Sequence, residues 1–265
     1  MVDSIFEFFL GGPDLEMLTI RELLQLHAPH QFLDKGLPWG AKASDYRDEI
    51  EESLLLGKIP VLVELTDDLG LASRENVKIV DHHGPLAGSD KPTSLHQVFA
   101  LLGLPQESWS RHLELVAAND RGHIAAMLEI GASQSEISEI RAADRAAQGI
   151  TPSEEEQGEM ALVGQRTLCR NRLTVVELPH NRTATVADRL APELGGPGYV
   201  NLLIISPGEI NVYGEGTLIR ALAQLYPNGW YGGDLPSRGF FGCTPPPEGI
   251  LETITEILCT PQSTT

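Results

Sequence analysis

The stretch Val77-Lys78-Ile79-Val80-Asp81-His82-His83-Gly84 constrains this chain more than any other. Val77, Ile79 and Val80 suit a buried strand, because β-branched side chains pack well on a pleated surface. The run then stops in one carboxylate, two imidazoles and a glycine. In open α/β sheets, ligands bind at the carboxyl ends of strands. Imidazole beside carboxylate is also the mixed donor set of Mn, Zn and Fe sites. A polar loop with no chemistry is the plain alternative.

The surrounding pattern alternates strands and helices. Apolar runs at 5–10, 59–65 and 77–80 read as strands. Helical spacing runs through 15–27, 46–56, 95–102 and 109–118. Such alternation predicts an α/β fold with a mainly parallel sheet covered by helices on both faces. Gly149-Ile150-Thr151-Pro152-Ser153 is turn chemistry, and Glu154, Glu155 and Glu156 suit the first turn of a helix continuing to Leu168. The expected organisation is therefore a first domain over 1–150, a linker helix over 151–170 and a smaller α/β domain over 171–265. In the last of these, strands at 173–178, 200–206 and 209–213, a hairpin at Pro207-Gly208 and a helix at 217–225 precede a glycine-rich loop, Trp230 to Gly242.

Charge narrows the function classes. Nineteen basic and 37 acidic side chains give a net charge of −18. That balance opposes tight duplex binding, since a phosphate backbone is repelled. A small phosphorylated substrate stays compatible, because bound divalent cations reverse the local field. Cys169, Cys243 and Cys259 show no CxxC spacing, so neither structural zinc nor a disulfide framework is expected, and a reducing cytoplasm fits. The segment Met1 to Leu10 lacks the basic region of a signal peptide, and no run is long and apolar enough for a membrane span.

Acidic and imidazole side chains gather after the predicted elements of the first domain. Asp14 and Glu16 follow the first strand. Glu64, Asp67 and Asp68 end the second, and Asp81-His82-His83 end the third. Asn119-Asp120-Arg121-Gly122-His123 ends an apolar helix. Carboxylates this close repel one another unless a cation joins them. Histidine among the donors favours Mn²⁺ over Mg²⁺, which prefers oxygen shells.

In the triplet Asp81-His82-His83, and in the order of the other clusters, the chain resembles the DHH phosphoesterase superfamily of RecJ-like and oligoribonuclease-like enzymes. The resemblance spans nearly the whole chain and implies hydrolysis of a phosphodiester or phosphoanhydride. It implies Asp14, Glu16, Glu64, His82 and Asp120 as metal ligands, with Asp67 or Asp68 as rivals of Glu64 for the bridging place. Asp81, His83 and Arg121 would orient the shell or meet phosphate. Gly232, Gly233 and Arg238 would touch substrate. Trp39 and the loop around it, 35–40, read as packing.

Departures from the family pattern qualify this. Gly12 stands where the family has a histidine, Glu16 and Glu64 stand for aspartates, and Asp234 follows the glycine pair in place of a histidine. The leading expectation is a hydrolase using one or two Mn²⁺, or Mg²⁺, on a small phosphorylated substrate such as a dinucleotide. Duplex nucleic acid and membrane are not expected partners, and a homodimer is compatible. A degenerate relative that keeps the fold as a binding module is the competing expectation. An exonuclease acting on long nucleic acid is the third.

Overall fold

A computed structural model describes residues 5–83, 91–233, 235 and 237–259. Gly84 and Asp234, both singled out above, lie outside the described residues. The described chain up to His123 forms one compact unit and the chain from Ile124 another.

The first unit contains β1 (Phe6–Leu10), α1 (Leu15–His27), β2 (Phe32–Leu33), α2 (Arg47–Leu55), β3 (Ile59–Val63), β4 (Lys78–Val80), α3 (Ser94–Leu101) and the start of α4 (Arg111–Glu129). Its sheet has the order β2-β1-β3-β4, and every pair is parallel. Alternation along β1 and β3 sends Phe9 and Leu62 to one face, where Tyr46, Ile50 and Leu54 cover them. Phe8, Leu10, Val61, Val63 and Val80 are also buried, so both faces of the sheet are covered. Each such side chain contributes roughly 1.5–3 kcal/mol on burial, which fixes the register. Phe8 lies opposite Val61, and Val63 opposite Val80. The strands consequently end level with one another at their carboxyl edge.

The second unit adds α5 (Gln134–Ala147), α6 (Pro152–Val163), β5 (Arg166–Leu168), β6 (Leu173–Glu177), α7 (Ala184–Leu190), β7 (Asn201–Ser206), β8 (Glu209–Glu215), α8 (Gly216–Leu225), β9 (Trp230–Gly232), β10 (Arg238–Cys243) and α9 (Ile250–Cys259). Its sheet runs β5-β6-β7-β8-β10-β9, with β6 and β7 parallel and the other pairs antiparallel. Leu203, Val212 and Phe241 pack with α8 and α9 on one face. Val176, Leu202 and Ile204 pack with α6 and α7 on the other.

Four expectations change here. The division falls within α4, at Gly122 (φ −165°, ψ 26°) and His123 (φ 52°, ψ −140°), and not at residue 150. Helix α5 and the expected linker helix α6 therefore belong to the second unit. Helix α6 stops at Gly164, and residues 166–168 pair with β6 as an edge strand instead of continuing the helix. The two ends of the glycine-rich stretch pair as β9 against β10, where glycines leave room for rings from the facing strand. A Cβ at Gly232 would meet the Phe240 ring at 2.6 Å. Finally, Cys169 and Cys259 form a disulfide, with Cα atoms 5.4 Å apart, while Cys243 is free and buried. Sequence spacing could not show it, since 90 residues separate the partners and only the fold brings the end of α9 beside the β5–β6 turn.

Candidate metal centre

The carboxyl edge of the first sheet collects the acidic and imidazole side chains. Gly11 directly follows strand β1, and a Cβ there would lie 2.6 Å from the Glu64 carbonyl oxygen. The two strand ends approach this closely only because Gly11 has no side chain. Glu64 itself takes φ 51°, a left-handed conformation costly for a residue with a Cβ. Its N–H still donates to the Val80 carbonyl at 2.9 Å, which ties it to β4.

Glu16, in the first turn of α1, is 2% exposed. Its Oε1 accepts from the Leu95 N–H at the start of α3, 3.0 Å away. Its Oε2 points at His82 Nε2, 3.5 Å away. Glu64 Oε1 lies 3.6 Å from the same nitrogen, and Asp120 Oδ2 touches it. His82 is 7% exposed. Among the described residues, Glu16 Oε2, Glu64 Oε1, His82 Nε2 and Asp120 Oδ2 are all buried without a properly formed hydrogen bond. Donor atoms of Glu64, His82, His83 and Asp120 lie within 4.8 Å of one another.

The electrostatics agree. Burial, then the Asp120 charge, pushes Glu16 above its ordinary value. Burial, then the charges of Asp14, Glu16 and Asp120, pushes Glu64 well above. Burial opposes charge on His82, yet Asp120 and Glu16 outweigh it and raise the ring to about 11. Burial also opposes charge on Asp120, but His82 holds that carboxyl below its usual range. The pocket therefore demands positive charge. Three carboxylate oxygens and one imidazole nitrogen, buried and unsatisfied, fit a divalent cation with some preference for nitrogen.

The other expected residues separate into neighbours and bystanders. Asp81 Oδ1 accepts from the His83 N–H at 2.9 Å and pairs with the His83 ring Nδ1 at 3.0 Å. His83 is thereby fixed beside the cluster, with its ring 41% exposed. Asp14 caps α1, its Oδ1 accepting from the Met17 N–H at 2.8 Å, and its charge bears on Glu64. Arg121 follows Asp120 on α4 and acts electrostatically on His96. Asp120 itself sits within the helix, not after its end. Asp67 accepts three backbone N–H groups of its own turn, and Asp68 bonds Ser44, so Glu64 alone of those three reaches the cluster. Gly232, Gly233 and Arg238 belong to the second unit. There Gly233 takes φ 95°, and the Arg238 guanidinium lies 5.4 Å from the Tyr199 ring centroid.

Two contributors escape the sequence reading. Thr93, 1% exposed, precedes α3, pairs with His96 Nδ1 at 3.0 Å and favours the charged form of Glu16. Pro92-Thr93-Ser94 before an apolar helix is a legible start signal. Trp39 reads as a packed tryptophan, but it is 64% exposed, and it is the backbone of Pro38 and Trp39 that fills the space beside Gly12.

No protein-family model matches the sequence, and no curated protein matches it. Solved structures do. An exopolyphosphatase-related protein from Bacteroides fragilis superposes with a TM-score of 0.52 at 12% identity, over 96% of this chain and 91% of that one. RecJ from Thermus thermophilus, in complex with Mn²⁺, superposes with a TM-score of 0.53 at 14% identity, over 95% of this chain. The chain has a divergent DHH-type fold. It spans about half the length of that RecJ chain, 51%. Within this DHH-type fold, the triplet Asp81-His82-His83 stands at the carboxyl edge of the parallel sheet, directly after β4.

Proposed function

We propose that this chain is a divalent-metal-dependent phosphoesterase acting on a small phosphorylated substrate such as a dinucleotide. The observation that carries the reading is the convergence of four buried, unsatisfied donor atoms, from Glu16, Glu64, His82 and Asp120, on one place. These four residues would hold the ion. A divalent cation there supplies Lewis acidity to a phosphoryl oxygen and to water.

The remaining roles fall to the chain's own groups. Asp81 fixes the His83 ring through Nδ1, leaving the half-exposed imidazole to give or take a proton at Nε2. Leu95 N–H holds Glu16 in place, as a supporting partner of a ligand does. Arg121, next to Asp120, supplies positive charge for an anionic substrate. Imidazole in the donor set favours Mn²⁺, with Mg²⁺ as the second choice. The net charge of −18 favours a short substrate over long nucleic acid.

The test is turnover of a phosphoester panel by the full chain with Mn²⁺: an aryl phosphodiester, linear and cyclic dinucleotides, and nucleoside phosphates. Release of phosphate or mononucleotide, abolished by chelation, is expected. An ion bound with no turnover anywhere on the panel would instead make the chain a binding module.

A further inference from the structure

We infer that Gln97, near the start of α3, is a positioning residue of this centre, whose side-chain amide pins the peptide joining Asp81 to His82 while the same helix end pins Glu16. The inference rests on the metal-dependent reading above and adds a residue that acts on the donor atoms through the backbone.

Gln97 Nε2 donates to the Asp81 carbonyl at 3.1 Å and to the Pro92 carbonyl at 3.2 Å. Both partners are acceptors, so only the NH₂ end of the amide can face them, and both of its hydrogens are used. The Asp81 carbonyl belongs to the planar peptide unit whose nitrogen is that of His82. A bond to that oxygen therefore limits how the backbone of His82 can turn. His82 Nε2 is the point on which Glu16, Glu64 and Asp120 converge. The Asp81 carboxylate carries the restraint on to His83, accepting from its N–H and pairing with its ring.

The helix that carries Gln97 is itself tied to other donor residues. The first N–H groups of a helix have no partner within it. Thr93 precedes α3 without a side-chain capping bond, and the Leu95 N–H donates instead to Glu16 Oε1 at 3.0 Å. A carboxylate is also the charge that a helix N-terminus favours. On the same helix, the His96 ring stacks on Trp109 with centroids 4.3 Å apart, and Phe99 meets that indole edge-on at 5.0 Å. Trp109 lies just ahead of α4, which carries Asp120. Thr93, Ser94, Leu95 and Val98 are buried, so packing sets the place of α3 and makes it a fixed anchor for the amide.

The experiment is Mn²⁺ titration of the chelator-stripped full chain by calorimetry, with thermal melting, for wild type, Gln97→Met, Gln97→Glu and Phe99→Leu. Gln97→Met keeps the length of the side chain and removes the donor. Binding about tenfold weaker is expected, the lower end of what loss of a supporting partner costs. Gln97→Glu keeps the shape and also removes the donor. Its added negative charge alone would tighten cation binding, so weaker binding, the expected result, reports the lost restraint. Phe99→Leu loosens α3 at the Trp109 contact, away from the amide, and should bind Mn²⁺ as the wild type does even where its melting temperature falls. Binding as tight as wild type in either Gln97 variant would overturn the inference and leave the metal-dependent reading standing. Equal weakening in Phe99→Leu would also overturn it, since general loosening of the helix would then suffice. No ion bound by the wild type would overturn both.

Discussion

At the scale of single residues, the decisive feature is a cluster of buried ionisable groups, each with one donor atom that lacks a formed hydrogen bond. Isolated carboxylates in a low-dielectric pocket cost several kcal/mol each unless a positive charge joins them. In the metal-free chain, a proton on His82 meets that need. Its value, raised from 6.5 to about 11, lies above the unfolded one. The stability it adds is therefore complete below about pH 6.5 and is lost as pH climbs toward 11. Glu16 and Glu64, also raised, act in the same sense from the lower value of 4.5 upward. Denaturant titrations of the metal-free chain should show stability falling from about pH 5 to about pH 9, with Mn²⁺ restoring it. Metal-free stability that rises over that range would contradict the assignment. The sequence shows these residues through their types and order alone. It cannot separate Glu64 from Asp67 and Asp68, because the choice depends on a left-handed turn at Glu64 and on which backbone N–H groups each aspartate meets.

At the scale of elements, legibility follows local signals. Helix α1 is legible to the residue because Asp14 caps it and the apolar spacing is regular. The edge of β3 and the triplet after β4 are equally plain. Strands β9 and β10 are hidden, since a run of glycines reads as loop until Phe240 and Trp230 are seen filling the missing side-chain space. The sequence has the helix ending at Ala118, where the apolar run gives way to Asn119-Asp120-Arg121, whereas α4 runs on through Asp120 to the kink at Gly122 and His123. The same logic of missing side chains governs α6 against α7. A Cβ on Gly158 would lie 2.5 Å from Thr185 Oγ1 and 2.6 Å from Thr185 Cβ, and Thr185 is wholly buried. Gly158→Ala should therefore cost about 1–3 kcal/mol through forced repacking, read as a lowered denaturation midpoint. An unchanged midpoint would show that the two helices pack otherwise.

At the scale of the molecule, net charge and composition exclude more than they assign. The acidic surface argues against long nucleic acid, but cysteine spacing misleads. Pairing of Cys169 with Cys259 closes a long loop and stabilises the chain by roughly 4–5 kcal/mol on loop-closure entropy. Unreduced, denatured protein should expose one reactive thiol, Cys243, and reduction should raise the count to three and lower the melting temperature. Three thiols without reduction would contradict the disulfide and return the reading of a reducing compartment. The DHH-type fold, found in structures with 12% and 14% identity, carries no activity by itself. The activity proposed for this chain would rest on the centre at the edge of the first sheet. The most direct measurement is kcat/KM of Mn²⁺-loaded wild type and His82→Ala, side by side, on the best phosphoester of the panel. A loss of more than about a hundredfold, with fold retained, is the predicted result, since a ligand should matter more than its supporting partners. Equal rates in the two proteins would contradict the account.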